Sequence, residues 1–476
     1  MKSLKKSFCC LLAFCLMVGM LGITALADGG QNEAESTITV TVTGDSIAAA
    51  YALPGYLNFW PVKDGEKIED SYTAILEDDL KAYFDVVDMR RDAHIAWRTT
   101  EFLNALSAAE VSVGAYDPCY DDPYDPNGKD GYLMKNWCTT DFFRTAFGVN
   151  KNGMGFKDVG AKIAGDIAAA DLVTVNFGAN DIYDYGLCAV LGKWVTPLLS
   201  ADLGSIDGLN ELMRTFLELL LESNEGQRHT ILSDFINALE LGLARYINNI
   251  PLVINAIQSI NKDAKIVIIG VKPPIMNPLH IGDLTIDLAA YLDPLIVRAN
   301  AVNSYNCAKF GCLYVDVAGT DNYGFGEVEL SSDITQFFFD FLKAVHPTED
   351  GHAYMAQCIE NAVFPMFAAP ADVKVETGTS FLTKPHLSWN AVPGAEGYVV
   401  YRSLLKNIGY HPVKTVKGVT ATDFTALAGL SYFYRVSTML NPSGTLQSKL
   451  SEPVFVSKVS SILDYLKPIF SFKIVK

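Results

Sequence analysis

Residues 38–46 read ITVTVTGDS, and this stretch decides the fold class. Its first six residues are all β-branched, as expected of a strand buried on both faces of a parallel sheet. The next residues, Ile47–Leu53, favour a helix, which puts Ser46 at a strand-to-helix turn. There, free backbone N–H groups and the helix dipole stabilise negative charge on an oxygen. The alternative interpretation is that Ser46 only caps the helix.

Further apolar runs of strand length alternate with helical stretches along the chain. They are Tyr83–Met89, Leu172–Phe177, Lys265–Gly270 and Leu313–Val317. Alternation of this kind implies right-handed crossovers, so we predict an α/β sandwich with a parallel sheet of about five strands. Ligands of such sheets bind at the carboxyl ends of the strands, which is where Ser46 lies.

Residues 1–27 have the three parts of a secretory signal peptide. Lysines near the start supply positive charge, residues 8–21 are apolar, and Ala25-Leu26-Ala27 is a small-x-small cleavage site. The apolar run is shorter than the roughly 20 residues that span a bilayer. We therefore predict a secreted, extracellular protein with no transmembrane segment after cleavage. A retained membrane anchor is the alternative.

The chain has a formal net charge of −17. Nucleic acids and anionic membrane surfaces bind basic patches, so this charge argues against both as partners.

The cysteines after residue 27 form no CxxC pair, and we expect no zinc site. Disulfides can form outside the cell. The nearest pairs in sequence are Cys119–Cys138 and Cys307–Cys312.

Residues 187–248 interrupt the strand–helix alternation with a strongly apolar insert. Apolar residues recur at helical spacing between Leu209 and Leu220, and again between Phe235 and Tyr246. The insert either adds a packing layer or covers the ligand site at the edge of the sheet, where it would contact an apolar group of the ligand. Pro251 then fits the first position of the helix that precedes the strand at Lys265.

After Pro370 the pattern changes to short strands with alternating polarity, which predicts an all-β domain over residues 370–458. Trp389, the Gly-Tyr-x-Val-Tyr-Arg strand from Gly397, and Leu427 ahead of Tyr432 as a tyrosine corner resemble the fibronectin type III family. The tail, residues 459–476, has an apolar stripe that predicts a docking helix.

Three further blocks follow the Gly-Asp-Ser triplet: Arg98-Thr99 after the second strand, Gly178-Ala179-Asn180-Asp181 after the third, and His346-Pro347 later. In this order they resemble the SGNH (GDSL) hydrolase family of esterases and lipases. The resemblance implies a flavodoxin-like three-layer sandwich for the predicted domain over residues 28–369. It also implies that no metal or organic cofactor is needed.

The family also implies roles for individual residues. Ser46 would attack an ester carbonyl, and His346 would be the base that takes its proton. The developing oxyanion would be held by the backbone N–H groups of Ser46 and Ala96 and by the side-chain amide of Asn180. Asp45 and Asp181 are expected to hold the loops through backbone hydrogen bonds.

Two departures from the family pattern leave questions open. Ala96 stands where the family usually has glycine, and its Cβ restricts the backbone dihedrals. No aspartate lies two or three residues before His346; Asp340, six residues upstream, is the candidate that would orient the imidazole, with a backbone carbonyl as the alternative. His352 is a rival base, and His94 is expected to be structural.

The acidic loop at residues 116–132 faintly resembles a calcium loop, but Lys129 falls where an oxygen ligand belongs. A solvated loop near the mouth of the site is the alternative.

The sequence thus predicts a secreted serine ester hydrolase that forms an acyl-enzyme on Ser46 and acts, as a monomer, on a small-molecule, lipid or polysaccharide ester. One alternative is a carbohydrate O-deacetylase of the same fold. The other is a catalytically inactive adhesion or scaffold protein.

Overall fold

The fold is described from a computed structural model of the 476-residue chain. The described residues are 36–55, 67–94, 97–115, 156–190, 223–272, 279–281, 284–286, 289–318, 345–377 and 384–457, with a few isolated positions between 194 and 219. Contacts divide the chain into two units. One comprises Ile38–Ala82 and Val87–Phe364, and the other is formed mainly by residues from Pro365 onward.

Among the described residues, a five-stranded sheet forms the centre of the first unit. Its strands are β1 (Thr37–Gly44), β2 (Val86–Ala93), β3 (Leu172–Asn176), β4 (Lys265–Ile269) and β7 (Leu313–Val315). They lie in the order β2-β1-β3-β4-β7, and the pairs β1–β3, β3–β4 and β4–β7 run parallel. This doubly wound order confirms the predicted α/β class. A separate hairpin pairs β5 (Leu279–Ile281) with β6 (Leu284–Ile286).

Helices cover the sheet and bury apolar side chains against it. They are α1 (Tyr72–Leu80), α2 (Thr99–Ala108), α3 (Phe156–Ala169), α4 (Ala179–Val190), α5 (Glu225–Ile260), α6 (Ala289–Phe310) and α7 (Glu349–Val363). The largest apolar cluster includes fully buried side chains from α2, α5 and the strands. Among the described residues, no helix has both the length and the hydropathy that a membrane span requires.

The residues after Ser46 form a chain of turns, so the predicted helix at Ile47–Leu53 is wrong. Ala50 and Ala52 have φ angles of 65° and 77°, in the left-handed region that a right-handed helix does not use. The tight turns bury Ala50, Tyr51 and Leu53 against the protein. Their burial offsets the backbone cost, on the order of 1–2 kcal/mol for each left-handed residue.

Pro251 lies inside α5 and does not begin a new helix, contrary to the prediction. The proline leaves the Ile247 carbonyl without its usual helical donor, at a cost of about 3 kcal/mol. Ile250, Val253 and Ile254 are fully buried on either side of it, and their packing keeps the helix continuous. The described part of the insert therefore merges with the crossover helix as a packing layer.

The second strand extends further than its apolar run predicted, to Ala93 rather than Met89. The strand lies at the edge of the sheet, where charged side chains contact solvent and form ion pairs. Arg90, for example, pairs with Asp166 of α3 at 3.0 Å.

Cys307 and Cys312 are free thiols, so the second candidate disulfide is not formed. Cys307 Sγ instead lies 3.5 Å from the Leu313 carbonyl.

The second unit contains two antiparallel sheets that share one apolar core. The strands are β8 (Lys374–Glu376), β9 (His386–Ser388), β10 (Gly397–Ser403), β11 (His411–Val416), β12 (Thr420–Thr422), β13 (Tyr432–Met439) and β14 (Val454–Val456). One sheet has the order β11-β10-β13-β14 and the other β12-β9-β8. The Leu427 N–H donates to the Tyr432 hydroxyl at 3.1 Å, the bond that the predicted tyrosine corner requires.

Two glycines of α3 provide a matched test of the packing between α2 and α3. A Cβ on Gly160 would lie 1.8 Å from the Ala105 carbonyl oxygen, whereas a Cβ on Gly165 would meet nothing within 4 Å. We expect Gly160→Ala to destabilise the protein by about 1–3 kcal/mol or more through overpacking. Gly165→Ala should stabilise it by about 0.5–1 kcal/mol. Urea unfolding measures both; equal effects of the two substitutions would contradict this packing.

Candidate active site

The turn after β1 is fixed by backbone and carboxylate hydrogen bonds. The Asp45 N–H donates to the Asn176 carbonyl at 3.1 Å, which ties the turn to the end of β3. The Asp45 carboxylate accepts from the Ile47 N–H at 2.9 Å, as the sequence predicted for this residue. Ser46 therefore lies at the carboxyl edge of the sheet with only 6 % of its surface exposed.

The imidazole of His346 meets the hydroxyl of Ser46. His346 Nε2 and Ser46 Oγ are 2.7 Å apart, although 300 positions separate the two residues in the sequence. His346 is 9 % exposed, and the Tyr51 ring packs against it at a centroid distance of 4.8 Å. A neutral imidazole with Nε2 unprotonated accepts the serine proton in this geometry, which is the arrangement of a nucleophile and its general base.

The start of α7 holds His346 in place. Thr348 is the N-cap of this helix, and its side chain accepts from the Gly351 N–H at 3.4 Å. The His352 N–H donates to the Thr348 carbonyl at 2.9 Å. Because His346 lies two residues before the cap, these bonds limit how far its backbone can move.

Asn180 lies near the same edge, at the start of α4. Gly178 precedes it with φ +126°, and a Cβ there would lie 2.4 Å from Val271 Cγ2, so the turn requires glycine. Asn180 Nδ2 donates to the Trp97 carbonyl at 3.2 Å, which links this block to the second one. An amide nitrogen carries two N–H groups, and this bond uses one of them.

A buried network joins the second and third blocks; it contains the backbone bond predicted for Asp181, whereas the bonds that Asn249 adds to it were not predicted. Asp181 accepts from the Thr99 N–H at 3.0 Å and also from the Thr99 hydroxyl. Asn249 of α5 donates to the hydroxyls of Thr99 and Thr100, each at 3.1 Å. Burial raises the pKa of Asp181 to about 6, while the Thr99 bonds act in the opposite direction. Three helices are thereby held together behind Asn180.

Arg98, singled out from the sequence, forms a buried ion pair with Glu101. The Glu101 carboxylate accepts from Arg98 Nη2 at 2.6 Å, from Nε at 2.9 Å and from the Arg98 backbone N–H at 3.0 Å. The pair caps the first turn of α2. The sequence carries only half of the usual capping signal, because Glu101 is at the expected position but arginine stands where the motif has Ser, Thr, Asp or Asn.

The other two histidines considered from the sequence have structural contacts. His352 is fully buried, and its Nδ1 accepts from the Tyr72 N–H at 3.3 Å. Burial lowers the pKa of His352 to about 3, which keeps the ring neutral. The bond to Ser46 is made by His346, so His352 is not the base that the geometry selects. His94 stacks on Trp97 with centroids 4.2 Å apart, as expected of a structural residue.

Several predicted features lie outside the described residues. They are the backbone donor Ala96, the orienting candidate Asp340, the acidic loop 116–132, the pair Cys119–Cys138, the first apolar stripe of the insert, the signal peptide and the tail. Within the part of the chain that the structure describes, no group of three or more His, Cys, Asp or Glu side chains could hold a metal ion.

The pKa of Asp45 makes the stability of the protein depend on pH. Burial, and to a lesser degree the nearby Asp181, raise the pKa of Asp45 to about 7, against about 3.9 in an unfolded chain. The folded state therefore retains the proton over a range in which the unfolded state has lost it, and stability falls as pH rises from 4 through 7.

We expect Asp45→Asn to remove this contribution, because the amide oxygen still accepts from Ile47 and carries no charge. The variant should be the more stable protein at pH 8, by a few kcal/mol in order of magnitude, and its stability should fall less between pH 4 and 8. Urea unfolding across this range measures the effect. Parallel curves for the two proteins would show that Asp45 is charged in the folded state.

Comparisons with known proteins identify the family of the chain. The family model for GDSL-like lipases and acylhydrolases matches residues 40–359. Among curated proteins, no sequence matches the chain.

Solved structures give weaker similarities. An extracellular lipase from Streptomyces rimosus is 13% identical, covers 69% of this chain and 100% of its own, and has a TM-score of 0.34. A catalytic mutant of an acetylxylan esterase from Geobacillus stearothermophilus is 11% identical, covers 69% and 93%, and scores 0.26. A Fn3-like protein from Clostridium thermocellum is 27% identical over 19% of this chain and 91% of its own, with a TM-score of 0.18. Scores this low establish no shared fold by themselves.

Proposed function

Because the chain belongs to the family of GDSL-like lipases and acylhydrolases, we propose that it is a secreted serine ester hydrolase that works through an acyl-enzyme on Ser46. The observation that carries this proposal is the 2.7 Å contact between Ser46 Oγ and His346 Nε2 at the carboxyl edge of the sheet. A serine hydroxyl is a weak nucleophile until a base removes its proton, and a neutral imidazole at this distance does so.

The reaction follows from these contacts. As Ser46 Oγ attacks the ester carbonyl, its proton moves to His346 Nε2, and the resulting imidazolium gives that proton to the leaving alcohol. Water then attacks the acyl-enzyme with His346 again as base, which releases the acid and restores the serine. The aromatic ring of Tyr51 limits the motion of the imidazole during both steps.

The negative oxygen of the tetrahedral intermediate requires donors that are already in place. We assign the backbone N–H of Ser46, the backbone N–H of Ala96 and the free N–H of the Asn180 amide. The bond from Asn180 to the Trp97 carbonyl supports this assignment, because it fixes the plane of the amide before substrate arrives. A donor held in this way costs no reorganisation during the reaction.

The orientation of His346 and the protein's wider context belong to the same proposal. Asp340 is the side chain that we assign to orient the imidazole of His346.

The proposal that the protein is exported rests on the signal-peptide pattern of residues 1–27. We further propose that the all-β region is a fibronectin type III module; its sheets of four and three strands and its tyrosine-corner bond support this.

The first test is hydrolysis of nitrophenyl esters. We expect Ser46→Ala and His346→Asn each to lower kcat by about 1000-fold or more, with folding retained. Asn180→Ala should lower kcat by about 100- to 1000-fold with little change in KM. Ser107→Ala, at an exposed serine of α2, is the matched control and should leave the rate unchanged. Wild-type protein without activity would favour the inactive scaffold protein over the enzyme. Activity that survives Ser46→Ala would show that Ser46 is not the nucleophile and would contradict the proposed mechanism.

The second test is the dependence of kcat/KM on acyl-chain length. A rise from acetate to octanoate esters is expected if the apolar insert contacts the acyl chain, since each buried methylene contributes about 0.8 kcal/mol. A sharp preference for acetate would instead favour the alternative, a carbohydrate O-deacetylase. Acetylated xylan is the polymer to assay in that case.

A further inference from the structure

Two loops of the second unit lie at the same end of its sheets. Residues 404–410 connect β10 to β11, and residues 423–431 connect β12 to β13. The last residue of β10, Ser403, pairs with Phe433 near the start of β13, so both loops leave the sheets at one end. We call this region, residues 404–410 and 423–431, the loop end.

The loop end exposes large apolar side chains. Ile408 is 63 % exposed and Phe424 71 %. The complete set is Leu404, Leu405, Ile408, Phe424, Leu427 and Leu430, each at least 41 % exposed. Soluble proteins rarely gather this many apolar side chains on a small exposed area unless the area binds something. Because five of the six side chains are aliphatic, they suit hydrocarbon better than the flat faces of sugar rings, which stack on aromatic residues.

Side-chain bonds beneath the surface hold the second loop, residues 423–431, to strands β10 and β13. Arg402 Nη1 donates to Asp423 Oδ2 at 2.8 Å and to Thr425 Oγ1 at 3.0 Å. The Tyr434 hydroxyl donates to the same Asp423 oxygen at 2.8 Å. The apolar side chains are therefore presented by an ordered base, and their insertion into another phase requires little reorganisation.

The charges around the loop end are basic, against the net charge of the chain. Lys406 is exposed on the first loop, Lys384 Nζ bonds to the Ala426 carbonyl at 2.8 Å, and Lys414 Nζ lies 5.3 Å from the centre of the Phe424 ring. Asp423 is the only acidic residue of the two loops, and it is buried against Arg402. One acidic side chain is exposed nearby: Glu376, at the end of β8, which pairs with β9.

The chain leaves β14 at this same end, because Val456 pairs with Tyr432. Residues 458–476 follow, and they contain four lysines, one aspartate and many apolar residues. A segment with basic and apolar residues of this kind binds interfaces between water and lipid. Its sequence thus has the same chemical character as the loop end.

We infer that the loop end binds the surface of a phospholipid bilayer that contains anionic lipid. The six apolar side chains enter the boundary between headgroups and acyl chains, and Lys384, Lys406 and Lys414 contact lipid phosphates. The acidic remainder of the chain does not prevent this, because charges more than about 8 Å away are largely screened at physiological salt.

Vesicle binding by the full chain tests the inference. The probes are vesicles of phosphatidylcholine with and without 30 mol% phosphatidylglycerol, and the measurement is co-sedimentation. We expect binding to vesicles that contain phosphatidylglycerol, weaker binding to phosphatidylcholine alone, and a loss of about tenfold or more in the variant L405S/I408S. Val297→Ser is the matched control: it is 67 % exposed on α6 of the first unit and should bind like wild type.

Hydrogen exchange identifies the bound surface, which matters because every variant also carries the apolar residues 8–21. We expect vesicles to protect residues 404–410 and 423–431, while Val419→Ser, at the opposite end of β12, leaves this protection intact. Equal binding by L405S/I408S and wild type, or no protection of the two loops, would overturn the inference.

Two other occupants of the loop end, a second copy of the chain and the tail, are tested by experiments without vesicles. A second copy of the chain on the loop end would give a concentration-dependent dimer that L405S/I408S abolishes. The tail as occupant would make exchange of the two loops faster when residues 458–476 are deleted. Either result would overturn the inference.

Discussion

The contact between Ser46 and His346 is the interaction on which the rest of the account depends. Their sequence separation means that neither local propensity nor a single supersecondary unit creates it. The parallel pairing of β1 with β3 places Ser46 at the sheet edge, and the capped start of α7 brings His346 to it. The largest apolar cluster of the first unit supports this pairing, because it includes side chains of β3, β4 and the helices that cover them.

A second constraint is the burial of acidic groups directly behind the site. Asp45 and Asp181 are both almost completely buried, and burial raises the pKa of each; Asp181 adds to the rise at Asp45. Their oxygens hold backbone N–H groups of the turn at Ile47 and of α2 at Thr99. The site thus obtains fixed geometry from carboxyl groups, and burial limits the negative charge that they place near a developing oxyanion.

The sequence predicted the strands because β-branched runs are local patterns, and the resemblance to the SGNH (GDSL) family implied the pairing of Ser46 with His346. β-branched runs and the Gly-Asp-Ser and His-Pro blocks are visible without tertiary information. The turns at Ala50 and Ala52 were missed because their positive φ angles depend on the burial of their neighbours. The continuity of α5 through Pro251 was missed for the same reason. The bonds from Asn249 to Thr99 and Thr100 join residues about 150 positions apart, and no periodicity signals them. The net charge of −17 describes the whole chain and therefore did not reveal that the loop end of the second unit is basic and apolar.

The most direct test of the central claim is covalent labelling of the protein with a fluorophosphonate, followed by mass spectrometry of its peptides. The reagent reacts with a serine whose proton is removed by a neighbouring base. The account predicts one adduct, on Ser46, that forms in the wild-type protein and is lost in His346→Asn. An adduct on a different serine, or labelling of Ser46 at an unchanged rate in His346→Asn, would contradict it.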